Sequence, residues 1–164
     1  MAEPARAIAH VGITVPDLDA AIEWYSKVFG MRKVKEPGEL ALGLNGPIDD
    51  LCVDIFGEEF ESVRLAHMSA ANGVIVEIFE WSNPPYEKTE PSFPYWRGGI
   101  FHFAVIAEDV EHLVDVITEN GGRARSMIGR FFEDKDLRAV YCEDPWGTVI
   151  EVISESDERA WSNL

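Results

Sequence analysis

Two histidines and two glutamates in this 164-residue chain recur at matched places and could together hold a metal ion. His10 lies in the run Ile8-Ala9-His10-Val11-Gly12-Ile13-Thr14-Val15, and His102 in Ile100-Phe101-His102-Phe103-Ala104-Val105-Ile106-Ala107. Both runs have the character of a strand, and both histidines read as buried. Glu77 stands in Val74-Ile75-Val76-Glu77-Ile78-Phe79, and Glu151 in Thr148-Val149-Ile150-Glu151-Val152-Ile153. Side chains alternate along a strand, so Ile75, Glu77 and Phe79 share a face, as do Val149, Glu151 and Ile153. A carboxylate among apolar neighbours costs several kcal/mol unless it is paired, protonated or bound to a cation. No lysine or arginine stands two positions from either glutamate. Taken singly, a strand histidine is usually a satisfied core residue and a strand glutamate a solvent-facing one. Their repetition shifts the reading to a site of two imidazoles and two carboxylates. That donor set suits Mn, Fe(II), Co, Ni or Zn, with positions left for water or substrate.

Hairpin geometry brings in two more residues. With Ser69–Gly73 as a symmetric turn, residues 65 and 67 share the face of 75 and 77. With Glu143–Gly147 as the turn, 139 and 141 share the face of 149 and 151. His67 and Tyr141 then stand at matching positions, each ten residues before its glutamate. Both side chains can move protons; the alternative is a lining histidine and a packed tyrosine.

The elements that must position these groups repeat as well. Seven residues after each histidine comes an aspartate, Asp17 or Asp109, suited to cap a helix. Leu18, Ala21, Ile22, Tyr25, Val28 and Phe29 form one helical stripe, and Val110, Leu113, Val114 and Ile117 another. Gly30 and the pair Gly121-Gly122 stop the two helices. Strands are expected near 32–35, 63–68 and 74–80 in the first copy, and near 123–126, 139–142 and 148–153 in the second. Each copy is therefore β-α-β-β-β. The histidine-to-glutamate interval is longer in the first copy, and the excess falls in 36–60, read as an insertion between strands. The expected architecture is α+β, a single domain over 1–164. Module one covers about 6–82, a proline-containing linker 83–98, module two about 99–154 and a tail 155–164.

Bulk properties exclude other classes. Thirty acidic against fourteen basic residues give a net charge of −16, which repels phosphate backbones and argues against nucleic acid as a partner. No apolar run reaches the ~20 residues of a membrane span. The opening Met1-Ala2-Glu3-Pro4-Ala5-Arg6 lacks the layout of a secretion signal, so the cytoplasm is expected. Cys52 and Cys142 lie outside any CxxC spacing and read as reduced, buried thiols.

His10 with Val11-Gly12-Ile13-Thr14-Val15-Pro16-Asp17-Leu18, then Ala21-Ile22-Glu23-Trp24-Tyr25 and Phe29-Gly30-Met31, resembles the opening module of the vicinal oxygen chelate superfamily. The ending Glu143-Asp144-Pro145-Trp146-Gly147-Thr148-Val149-Ile150-Glu151 resembles its closing hairpin, and the likeness covers about 8–154. The superfamily includes glyoxalase I, methylmalonyl-CoA epimerase, extradiol dioxygenases, and fosfomycin and bleomycin resistance proteins. The resemblance implies paired βαβββ modules forming a cup around one divalent metal. It also implies His10, Glu77, His102 and Glu151 as ligands, a small-molecule substrate and a homodimer. The ligand pattern is most similar to that of glyoxalase I. Where the bacterial enzyme of that type has an arginine and an asparagine, this chain has Thr14 and Trp81, which argues against glutathione. Trp81, Tyr86, Phe93, Tyr95, Trp96, Phe131 and Phe132 suit an apolar or aromatic molecule, with Arg97, Arg125, Arg130 or Arg138 to meet an acidic group on it.

The expected activity is that of a metal-dependent isomerase or lyase on a carbonyl compound, through a metal-stabilised enediolate. Glu151 first and Glu77 second would move the proton, with His67 and Tyr141 as further candidate catalytic residues. The alternatives are an Fe(II) ring-cleaving dioxygenase, an epimerase of the methylmalonyl-CoA type, and a non-catalytic binding or resistance protein.

Overall fold

A computed structural model describes residues 3–43, 46–89, 93–133 and 135–162. Met1, Ala2, Leu44 and Asn45 of the insertion, Pro91 of the linker, and Asn163 and Leu164 of the tail lie outside the described residues. The chain folds as two compact units, Met1–Glu87 and Lys88–Leu164, each built around one mixed sheet of five strands.

In the first unit, β1 (His10–Thr14) leads into α1 (Leu18–Phe29), then β2 (Arg32–Lys33), β3 (Gly38–Ala41), α2 (Pro47–Phe56), β4 (Ser62–Ser69) and β5 (Ile75–Trp81). The sheet order is β1-β5-β4-β2, with β3 also on β4; β1 runs parallel to β5 and the other pairs are antiparallel. Asp17 caps α1, its carboxylate accepting from the Ala20 N–H at 3.0 Å. Glu80 accepts from the Leu18 N–H at 2.8 Å, so a β5 side chain helps seat the helix start. Leu18, Ala21, Tyr25 and Val28 of α1 are buried, as are Ala66 and Met68 of β4 and Val76 and Ile78 of β5. Those strand residues alternate with Leu65, His67, Glu77 and Phe79, which occupy the opposite face. At one end of that second face, Val63 packs with Cys52 of α2 and with Phe60, backed by Phe79 and Trp81.

The second unit repeats the order: β6 (Phe103–Ile106), α3 (Val110–Glu119), β7 (Arg123–Ala124), β8 (Gly129–Arg130), β9 (Arg138–Glu143), β10 (Val149–Ile153) and α4 (Asp157–Trp161). Its sheet order is β6-β10-β9-β7, with β8 also on β9. Asp109 caps α3 by accepting from the His112 N–H at 2.9 Å. Ala160 of α4 packs on Leu137, Ala139 and Ile153.

The duplicated α+β plan is present, and two expectations change. The stretch 36–60 is not a plain loop: it forms β3 and α2, because Pro47 opens a turn of helix that Cys52 anchors to Phe60 and Val63. The short β8 adds the corresponding extra strand to the second sheet. Both cysteines are free and buried. No helix among the described residues is long and apolar enough to cross a membrane.

Candidate functional site

Each unit brings one imidazole to one carboxylate by the same local geometry. Parallel pairing of β1 with β5 sets Gly12 opposite Glu77, and pairing of β6 with β10 sets Ala104 opposite Glu151. His10 and His102 each precede that opposed residue by two, which puts the imidazole on the same face one step along the strand. His10 Nε2 lies 3.3 Å from Glu77 Oε2, and His102 Nε2 lies 3.3 Å from Glu151 Oε2.

The antiparallel hairpins put His67 and Tyr141 on the expected faces, but each register is shifted by two residues from a symmetric turn over 69–73 or 143–147. Those turns would set His67 across from Ile75 and Tyr141 across from Val149. His67 is directly across from Glu77, and Tyr141 directly across from Glu151. His67 Nε2 reaches the second oxygen of Glu77, Oε1, at 2.9 Å. Tyr141 instead turns its ring against the His102 imidazole, centroids 5.2 Å apart. Burial, and then the charge of Glu151, raise the Tyr141 phenol above its ordinary pKa, so it keeps its proton.

One expectation is corrected. His10 is not buried: as the first residue of an edge strand its side chain is 54% exposed, against 23% for His102. His102 itself precedes the strand, which begins at Phe103. The glutamates are largely covered, at 18% and 14%.

These pairs fit a divalent cation. Two donors about 2.1 Å from a shared ion stand about 3.0 Å apart at a right angle and about 3.4 Å apart at the tetrahedral angle. Both His–Glu separations fall in that interval, whereas the shorter His67 approach is a hydrogen-bonding distance. The Nδ1 atoms of His67 and His102 are buried and have no hydrogen-bond partner among the described residues. No group of three or more His, Cys, Asp or Glu among the described residues is arranged to hold an ion, and each unit holds a His–Glu pair.

The arginines expected to meet an acidic substrate are mostly committed elsewhere. Arg138 binds Glu111 at 2.5 Å, Arg130 binds Asp136 at 3.3 Å, and Arg125 joins Arg123 on the buried Glu143. Arg125 also lies over the Phe93 ring, which packs with Phe101 and Tyr141. Phe131 and Phe132 pack on Trp161. In the first unit, Trp81 and Tyr86 line a cavity of about 290 Å³ with Phe56 and Phe60. Phe56 and Phe60 were not among the expected lining residues; the spacing Ile48, Cys52, Phe56 is the helical signal that marks Phe56, whereas Phe60 follows the helix end at Gly57.

Two modules of one topology, each with its His–Glu pair at one register, are matched by a family's sequence pattern. The pattern of the Glyoxalase/Bleomycin resistance protein/Dioxygenase superfamily matches residues 7–152. The chain belongs to that superfamily. It is 27% identical over 158 residues to a 2-epi-5-epi-valiolone epimerase of Actinomyces sp, covering 92% of this chain and 80% of that one. It is 28% identical over 156 residues to a probable lactoylglutathione lyase of Synechocystis sp., covering 93% and 98%. Among solved structures, a glyoxalase family protein from Bacillus cereus superposes with a TM-score of 0.76 at 18% identity, covering 94% and 98%. A fosfomycin resistance protein from Listeria monocytogenes superposes with 0.58 at 15%, also covering 94% and 98%. These structures share the superfamily fold with this chain.

Proposed function

We propose that the protein is a metal-dependent isomerase or lyase of glyoxalase type, which moves a proton on a carbon beside a carbonyl group of a small molecule. The observation that carries this reading is the repeated His–Glu pair, at one separation and one register in both units. His10, Glu77, His102 and Glu151 are the proposed ligands of one divalent ion, drawn from Ni, Co, Mn, Zn and Fe(II). Bound there, such an ion supplies Lewis-acid polarisation of a carbonyl oxygen.

The residues divide the remaining work. Glu77 has an imidazole at each oxygen, His10 at one and His67 at the other, which holds its carboxylate in place. Glu151 has only the His102 contact among the imidazoles of the described residues, so one fewer imidazole restrains its carboxylate than restrains that of Glu77. Glu151 is therefore the first choice as base, and Glu77 the second. Tyr141, held in its phenol form across the strand, can donate a hydrogen bond beside Glu151 but does not serve as a base at neutral pH. An epimerase and a lyase among the relatives support the reading, since inverting a carbon centre also requires a proton to leave and return.

The experiment is turnover under argon on 2-oxoaldehydes, acyl-CoAs, hydroxyketones and catechols in deuterated water, with Glu151→Gln and Glu77→Gln alongside. Wild type should place solvent deuterium on the reacting carbon. The Gln variants should keep the fold and lose about 10²- to 10⁴-fold in turnover. Unchanged turnover in both removes the mechanism, and oxygen uptake that requires Fe(II) assigns a dioxygenase instead.

A further inference from the structure

The sheet face that carries His10 and Glu77 continues past them. Thr14 follows His10 and Gly12 on the same side of β1, and Trp81 follows Glu77 and Phe79 on the same side of β5. Gly12 lets the Phe79 ring lie close over β1: a Cβ there would stand 3.3 Å from that ring, tighter than ordinary packing. Phe79 stacks on Trp81, centroids 5.6 Å apart and planes at 13°. Phe56 of α2 meets the Trp81 ring edge-on at 4.7 Å. About 13 Å of β1, covered midway by the Phe79 ring, therefore separates His10 from Thr14. There the cavity of about 290 Å³ opens between β1, β5, α2 and the segment 83–87.

Its wall chemistry is one-sided. Trp81 Nε1 donates to Thr14 Oγ1 at 3.2 Å, so the two positions that depart from the glutathione-binding pattern satisfy each other. Asn83 Nδ2 donates to the Glu59 carbonyl at 2.7 Å. A polar ligand group entering here would lose water without finding these partners free. Among the described residues that line it, Glu87 is the charged one and is acidic, so an anion is repelled. The volume is nearly twice the roughly 150 Å³ of a dry apolar cavity that admits one benzene ring.

We propose that this cavity binds an uncharged two-ring aromatic group. That the group belongs to the carbonyl substrate rests on the proposed function; the preference of the cavity itself does not. The insertion 36–60 then has a role, since α2 supplies the wall that makes the pocket aromatic.

The test is calorimetric or fluorescence titration of the metal-free, full-length protein with 2-acetylnaphthalene and with 2-naphthoate, read without turnover. The neutral probe should bind saturably and at least tenfold more tightly than the anion. Phe56→Ala should weaken it about tenfold with the circular-dichroism spectrum retained. Thr14→Arg, at an exposed position and with the circular-dichroism spectrum again retained, should reverse the preference toward naphthoate. No saturable binding, or binding indifferent to both substitutions, overturns the proposal. Tight binding of the neutral probe in a protein that turns over nothing leaves the cavity standing and removes the enzymatic reading. Turnover with no gain from an aromatic substituent, together with no probe binding, does the opposite.

Discussion

Glu77 and Glu151 occupy equivalent strand positions but have different company, and that difference decides what each can do. His67 faces one oxygen of Glu77 at 2.9 Å, while the residue across from Glu151 is a tyrosine that packs on His102 instead. Partners of this kind orient a ligand's carboxylate, and their loss costs about 10- to 100-fold in metal affinity. His67→Ala should therefore weaken Ni(II) or Co(II) binding by that factor with little change in melting temperature. His67→Gln should recover part of it, because its amide can donate to the same oxygen. Unchanged affinity in His67→Ala would make it a lining residue only. Cys142 carries a second consequence of burial. Exclusion from water pushes its thiol up to about 11, so it stays protonated in the folded protein well past neutrality. Because the folded value lies above the unfolded one, this contribution to stability is complete below about pH 8.5 and is lost as pH climbs toward 11. Iodoacetamide at pH 8 should leave Cys142 unmodified in the native protein and label it after unfolding, by peptide mass mapping.

Gly30 and Gly122 show how far an element can be read from sequence. Both stand twenty residues after a histidine and both follow a helix, so they look like one feature repeated. Gly30 does end α1 in the left-handed region, with φ of 63° and nothing near its missing side chain. At the end of α3 that conformation falls to Gly121, φ 85°. Gly122 is needed for close approach, since a Cβ would sit 2.5 Å from the Glu143 carbonyl oxygen and 2.7 Å from Ile117. Gly30→Asn should then cost under about 1 kcal/mol, as asparagine tolerates the left-handed region. Gly122→Ala should cost about 1–3 kcal/mol, because backbone must move; urea denaturation separates the two. Helix caps at Asp17 and Asp109, the apolar stripes and the faces of both hairpins were legible because each depends on neighbours in sequence, whereas each hairpin register lies two residues from the symmetric turn expected. The exposure of His10 was not, because it follows from β1 being an edge strand, a fact of sheet order. Nor was α2: Ile48, Cys52 and Phe56 carry a helical spacing, but Gly- and Pro-containing flanks make 36–60 read as an insertion. The pairing of Arg125 and Arg138 was hidden for the same kind of reason, since Glu143 and Glu111 become their partners only when distant segments meet.

At the scale of the whole chain the duplication itself makes a claim that can be measured. Two His–Glu pairs could bind two ions, one per unit, or jointly serve a single ion. A pair alone leaves most of a divalent ion's coordination to water and binds it weakly, whereas two imidazoles and two carboxylates form the familiar set for Ni, Co, Mn, Zn or Fe(II). The proposed function requires the second case. Metal analysis of protein equilibrated with excess Ni(II) and then desalted should find one ion per chain, not two. His10→Ala in the first unit and His102→Ala in the second should each abolish retention, and the double variant should be no worse than either. Ion binding should also raise the melting temperature of wild type by mass action, a gain that chelator removes and that both single variants lack. Two ions per chain, each lost only with its own histidine, would mean that the units act independently and that no joint centre exists. A net charge of −16 concentrates divalent cations near the chain while excluding polyanions. Raising the ionic strength should therefore slow metal uptake while leaving the stoichiometry of one unchanged, because screening weakens long-range attraction but not inner-sphere coordination.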